Sequence, residues 1–115
     1  MKLKLRLNGD EVLALEQIVG KEIAKISVEE LREQPALYAC MACVVEIFEK
    51  VAPKAREQKM FGQNSFALTL TRAQAIAFDW CFAPADQPAD EATYSSYEFG
   101  LLVRICGEIM VKYYS

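Results

Sequence analysis

The side chains best suited to chemistry in this 115-residue sequence are four cysteines, two of them in the run Cys40-Met41-Ala42-Cys43. A C-x-x-C pair on a helix sets two sulfurs on adjacent turns. It serves thiol–disulfide exchange when a helix N-terminus or a nearby cation activates one thiol. Here Cys40 lies well beyond Pro35, and its neighbours Tyr38, Ala39, Met41 and Ala42 supply no such activation. Apolar packing is the expectation for both thiols, and a thiol-dependent redox protein is the weakest functional reading. A structural zinc site built on four cysteines typically uses two short-spaced pairs, whereas Cys81 and Cys106 are 25 residues apart, so no metal or other cofactor is expected.

The sequence contains no histidine, which excludes Ser-His-Asp and Cys-His nucleophilic sites and the usual imidazole base. Two carboxylate groups cluster, Glu29 with Glu30 and Glu33, and Asp86 with Asp90 and Glu91. Both fall where a solvated helix start or loop belongs, with no apolar run beside them to raise a pKa. The five glycines are scattered at positions 9, 20, 62, 100 and 107, so no phosphate-cradling loop exists. An enzyme is not expected.

Binding is the remaining class. Lys2, Lys4 and Arg6 alternate with leucines and would form one basic face, with Lys50, Lys54, Arg56 and Lys59 as a second basic run. Phosphate contact is an alternative for that face. The second strand, however, offers Ala67 and Thr69 in place of bases or stacking aromatics. Trp80 and Tyr94 stand off the apolar stripes or in a loop, where they suit a protein-binding patch. The candidate interaction surface is therefore Lys2, Lys4, Arg6, Trp80 and Tyr94. The leading reading is a non-enzymatic interaction or scaffold domain that self-associates, with nucleic acid as the less favoured partner.

These residues are positioned by elements that the patterning defines. Lys2 to Leu7 alternates with period two, predicting a strand with Leu3, Leu5 and Leu7 inward. Asn8 with Glu11 forms a capping box and opens a helix to about Lys25, buried through Val12, Leu15, Val19, Ile23 and Ile26. Ser27 with Glu30 caps a short helical turn. A helix then begins at Pro35 and is expected to reach about Val51, where Pro53 ends or bends it, and Lys54 to Asn64 reads as a helical tail followed by a loop. Phe66 to Leu70 alternates again, and Thr71 with Gln74 repeats the capping box. A helix from Arg72 to about Ala83 gives way to an acidic, proline-bearing loop. The last helix starts near Ser95, capped with Glu98, and carries the stripe Phe99, Leu102, Cys106, Ile109 and Tyr113. Gly100 and Gly107 share a face of that helix, which predicts close helix packing there.

The two halves follow one plan. An offset of 63 places Leu5 on Leu68, Leu7 on Leu70, Asn8 on Thr71, Glu11 on Gln74 and Leu15 on Phe78. An offset of 62 then places Leu37, Cys40, Val44, Ile47 and Val51 on Phe99, Leu102, Cys106, Ile109 and Tyr113. One strand with two amphipathic helices cannot bury its apolar surface alone, whereas two such units can do so together. The expected fold is α+β: a single domain of tandem β-α-α units, about 1–57 and 64–115. Its two-stranded antiparallel sheet is covered on one face by about four helices, and its strand edges are open to extension by a second copy.

Composition agrees with a folded domain, with 53% hydrophobic and 25% charged residues. The net charge of −3 is uneven, since residues 1–62 carry ten positive and ten negative side chains and the rest three and six. No apolar run is long enough for a membrane span, no uninterrupted apolar segment follows the first Met-Lys, and four reduced thiols suit the cytoplasm, which is the expected location.

Overall fold

The computed structural model describes residues 2–25, 27–62, 65–82 and 96–114. The chain is α+β, in the order β1 (Leu3–Leu7), α1 (Gly9–Lys25), α2 (Val28–Glu33), α3 (Pro35–Phe61), β2 (Phe66–Leu70), α4 (Arg72–Phe82) and α5 (Ser96–Tyr113). No described helix is long and apolar enough to cross a membrane.

The two strands pair antiparallel, Leu3 opposite Leu70, Leu5 opposite Leu68 and Leu7 opposite Phe66. All six of these side chains are buried, while Lys4, Arg6, Ala67 and Thr69 between them are exposed. Period-two alternation thus divides the ribbon into a core face and a wet face. Buried residues of both strands and of α1, α3, α4 and α5 form one apolar cluster. Helix α3 lies along α1 and α4 and touches β2; α5 lies along α4 and α1 and touches β1.

Local chemistry starts the helices. Asn8 Oδ1 accepts from the Glu11 N–H at 2.8 Å, and Glu11 Oε1 accepts from the Asn8 N–H at 2.8 Å. Thr71 and Gln74 make the same reciprocal pair, at 3.2 and 3.1 Å. Ser27 Oγ accepts from the Glu30 N–H and caps α2. Ser95 lies outside the described residues.

Helix α3 passes the expected boundary near Val51 and takes in the expected helical tail as one element: it runs through Pro53 to Phe61 and ends at Gly62, whose φ of 64° suits glycine and whose N–H donates to the Gln58 carbonyl. A proline inside a helix costs about 3 kcal/mol or more through its missing hydrogen bond. Tertiary contacts on both sides of it offset that cost. Val51 and Ala55 are fully buried, Lys59 pairs with Glu16 of α1, and the Gln58 amide lies so close to Gly9 that a Cβ there would meet it at 2.2 Å.

Two buried stripes also differ from expectation. In α3, Met41 joins Val44, Ile47 and Val51 in the core, while Leu37 and Cys40 pack at its edge. In α5 the buried face is Leu101, Leu102, Ile105, Cys106 and Ile109, and Phe99 is 47% exposed. The face is turned because α5 must meet both α4 and α1, which widens its apolar stripe toward Leu101 and Ile105.

Each long helix also sends one cation to a strand–helix junction. Lys50 of α3 donates to the Thr69 carbonyl and to Gln74 Oε1, both at 2.8 Å. Arg104 of α5 donates to the Arg6 carbonyl at 3.1 Å and pairs with Glu11. These cations bind a strand carbonyl and a capping-box side chain together. Lys50→Met, which keeps the aliphatic stem, is expected to lower unfolding free energy by about 1–3 kcal/mol in urea titrations. Lys4→Met on the open sheet face should stay within about 0.5 kcal/mol. Equal effects of the two variants would contradict this role for Lys50.

Candidate functional site

The thiols converge across sequence rather than along it. Cys40 of α3 and Cys81 of α4 bring their sulfurs to 3.1 Å, and Cys40 Sγ lies 3.7 Å from the Ala77 carbonyl. With Cys81 donating its S–H to the Cys40 sulfur and Cys40 donating to Ala77, the pair forms a short chain of weak hydrogen bonds. Helical spacing produces this contact, because Ala77 and Cys81 are one turn apart on the face of α4 that meets α3. Expected core packing of the cysteines holds for Cys106, which is buried. Cys40, Cys43 and Cys81 are only half-buried, packed at the margin of the core.

Cys40 and Cys43 open on a groove of about 340 Å³ between α3 and α4. Alanines form half of its described lining: Ala36 and Ala39 on one wall, Ala73 and Ala77 on the other, with Trp80 and Ile76 beside the two cysteines. Trp80 is 67% exposed at its edge. The lining is almost wholly apolar, so the groove suits a hydrophobic group and offers no acid–base pair to a substrate.

Burial favours the protonated form of Cys43, Cys81 and Cys106. It is the main cause that pushes Cys81 up to about 12, reinforced by the hydrogen bond to Cys40 and the nearby charges of Cys40 and Glu22. Cys106 is also pushed up to about 12, by burial first and then by the charge of Asp79 and a hydrogen bond to it. Cys43 moves in the same direction through burial, Glu46 and Cys40. A thiolate nucleophile needs the opposite shift. Among the described residues, no group of three or more metal-ligating side chains converges.

The other candidates are dispersed. Lys2, Lys4 and Arg6 are all exposed, the last two on the wet face of the sheet beside Thr69 and Ala67. Lys2 lines a separate polar groove with Lys50, Lys54, Glu49 and Glu57, where the two signs of charge alternate. The basic run after Lys50 is divided, since Lys50 is turned to the β2–α4 junction and Lys59 to Glu16. Trp80 belongs to the α3–α4 groove and not to the basic face. Tyr94 lies outside the described residues, as do Asp86, Asp90 and Glu91. Glu29, Glu30 and Glu33 are exposed on α2.

A second apolar surface runs along the outside of α5. Phe99, Val103, Met110, Val111 and Tyr114 are exposed, and a Cβ added at Gly100 or Gly107 would meet nothing within 4 Å. The close packing expected at these glycines is therefore absent among the described residues, because they face outward. The sequence carries a signal for this surface: Gly100, Val103, Gly107, Met110 and Tyr114 recur at spacing three, four, three, four beside the buried stripe.

Comparison with known proteins gives no match: no family model, no curated protein and no solved structure is significantly similar to the chain.

The thiol shifts carry a sign that can be measured. With folded values near 12 and an ordinary value of 9.0, the folded chain holds protons that the unfolded chain has lost. The stability contributed by Cys81 and Cys106 is complete below pH 9.0 and is lost as pH rises from there toward 12. In urea unfolding at stepped pH, Cys106→Val is expected to show a shallower alkaline fall, by up to about 1.4 kcal/mol per pH unit. Parallel curves for variant and wild type would count against this.

Proposed function

We propose that this chain is a non-enzymatic protein-interaction domain that associates with a second copy of itself through the outer face of α5. The observation that carries the reading is the uncovered stripe of Gly100, Val103, Gly107, Met110, Val111 and Tyr114. A shallow groove of about 540 Å³, lined by Val103, Gly107, Val111 and Leu3 among others, runs along it. The stripe is self-complementary. In an antiparallel pair of α5 helices crossing at Gly107, Gly100 falls opposite Tyr114, Gly107 opposite itself and Val103 opposite Val111, so apolar positions meet apolar positions. That is the geometry of a twofold interface. Strand addition is less favoured, since one carbonyl of each strand is already held by a cation, and charge beside a strand edge discourages a further strand.

The architecture behind this reading is a tandem β-α-α repeat with a pseudo-twofold axis and helices covering one face of the sheet. Three observations support it. A twofold relation with offset 63 requires that a residue lie opposite its own equivalent, and Leu5 lies opposite Leu68. Arg6 and Thr69, whose carbonyls the two cations hold, differ by 63, as do Glu11 and Gln74, which receive the same cations. Each long helix touches the strand of the other unit. Four cysteines in a chain with an apolar core of its own suit a cytoplasmic setting.

A nucleic-acid reading draws on the exposure of Lys2, Lys4 and Arg6. It stays second because Ala67 and Thr69 beside them supply neither charge nor a stacking surface.

Sedimentation equilibrium and light scattering across the micromolar range should give twice the chain mass. Val111→Glu should weaken the dimer about tenfold or more while leaving the circular dichroism unchanged. A monomer at every concentration would overturn the proposal. Salt-dependent binding of single-stranded DNA or RNA, lost when Lys2, Lys4 and Arg6 become alanine, would favour the second reading.

A further inference from the structure

We propose that Cys40 and Cys81 form a peroxide-reactive dithiol that closes into a disulfide joining α3 to α4. The observation is geometric. The two sulfurs stand 3.1 Å apart on neighbouring helices, 41 residues apart in sequence, so about 1 Å of approach reaches bonding distance. Cys40 lines the open groove, and Cys81, absent from that lining, lies beside it against the core. A small oxidant entering the groove therefore meets Cys40 first and finds Cys81 in place as the resolving thiol. Cys43 shares the groove, but the sulfur that Cys40 touches is that of Cys81.

The step balances with hydrogen peroxide as oxidant. The Cys40 sulfur attacks one peroxide oxygen, the O–O bond breaks, and the thiol proton leaves with the other oxygen as water. The product is a sulfenic acid on Cys40. The Cys81 sulfur then attacks the Cys40 sulfur. The S–O bond breaks, the S–S bond forms, and the departing hydroxide takes the Cys81 proton as a second water. Two thiols together lose two electrons and two protons, and peroxide becomes two waters.

Burial holds the Cys81 proton, so the exchange is slow near neutral pH and responds to sustained peroxide rather than to traces. Once formed, the bond fastens the two helices along the groove that carries Trp80, the only tryptophan of the chain. Trp80 fluorescence then reports the oxidation directly.

The test is peroxide treatment of the folded full chain, followed by intact mass and non-reducing peptide mapping. The expected result is a monomeric product lighter by two hydrogen atoms, with one bond joining the Cys40 and Cys81 peptides. Dithiothreitol should restore mass and Trp80 emission together. Cys43→Ser should form the bond as the wild type does, and Cys81→Ser should stop at oxidised or capped Cys40. Peptide mapping of the wild type decides the matter even if Cys81→Ser folds poorly. A bond between Cys40 and Cys43, a bond between chains, or sulfinic and sulfonic products with no disulfide would each overturn the proposal. None of these outcomes depends on whether the chain dimerises through α5.

Discussion

A ribbon of two five-residue strands cannot stand alone in water, and the rest of this molecule follows from that constraint. Leu3, Leu5, Leu7, Phe66, Leu68 and Leu70 are buried in one apolar cluster with residues of α1, α3, α4 and α5. Helices α3 and α5 reach the ribbon from opposite strands, α3 at β2 and α5 at β1. Their cations, Lys50 and Arg104, then bind a strand carbonyl and a helix cap together. Strand, cap and long helix are consequently held as one unit, and displacement of any one of them strands a polar group that the others satisfied.

The length of α3 follows from the same constraint. Stopping at Pro53 would leave Ala55 and the contacts of Gln58 and Lys59 with α1 unmade. Continuing sacrifices one helical hydrogen bond at the proline and recovers a buried turn beyond it. The first half of α3 has a different neighbour, the eleven-residue α4, and the small side chains along that contact leave the groove in which Cys40 and Cys43 are exposed to solvent.

Features written in a few consecutive residues are legible in the sequence itself. The capping boxes Asn8–Glu11 and Thr71–Gln74, the alternation of both strands and the αα order of each half all depend on local periodicity, and the chain forms them where the pattern lies. Features decided by a distant partner are not. Pro53 reads as a breaker because the sequence does not display the α1 surface that rewards continuing. Phe99 reads as core because the angle at which α5 meets α4 and α1 is a tertiary quantity. Sequence spacing sets Cys40 beside Cys43 and is silent on Cys81, whereas the sulfur that Cys40 touches is 41 residues away. The site is half legible: Trp80 stands off its stripe and is exposed, but the small residues beside it resemble any helix surface until a second helix faces them.

The proposed repeat gives those small residues their meaning. Moved by its offsets, the groove of Ala39, Cys40 and Cys43 on α3 and Ile76, Ala77 and Trp80 on α4 corresponds to Leu101, Leu102 and Ile105 on α5 and Leu13, Ala14 and Gln17 on α1. Leu101, Leu102 and Ile105 are buried. In the groove, alanine and two cysteines replace two leucines and an isoleucine, and tryptophan stands where the other unit has glutamine. On the proposed repeat, the groove marks lost side-chain volume at the corresponding helix contact. Removing that volume forfeits burial of roughly 2–5 kcal/mol per leucine or isoleucine reduced to alanine. On the proposed repeat, an exposed tryptophan and two touching thiols mark the contact at which the two halves differ.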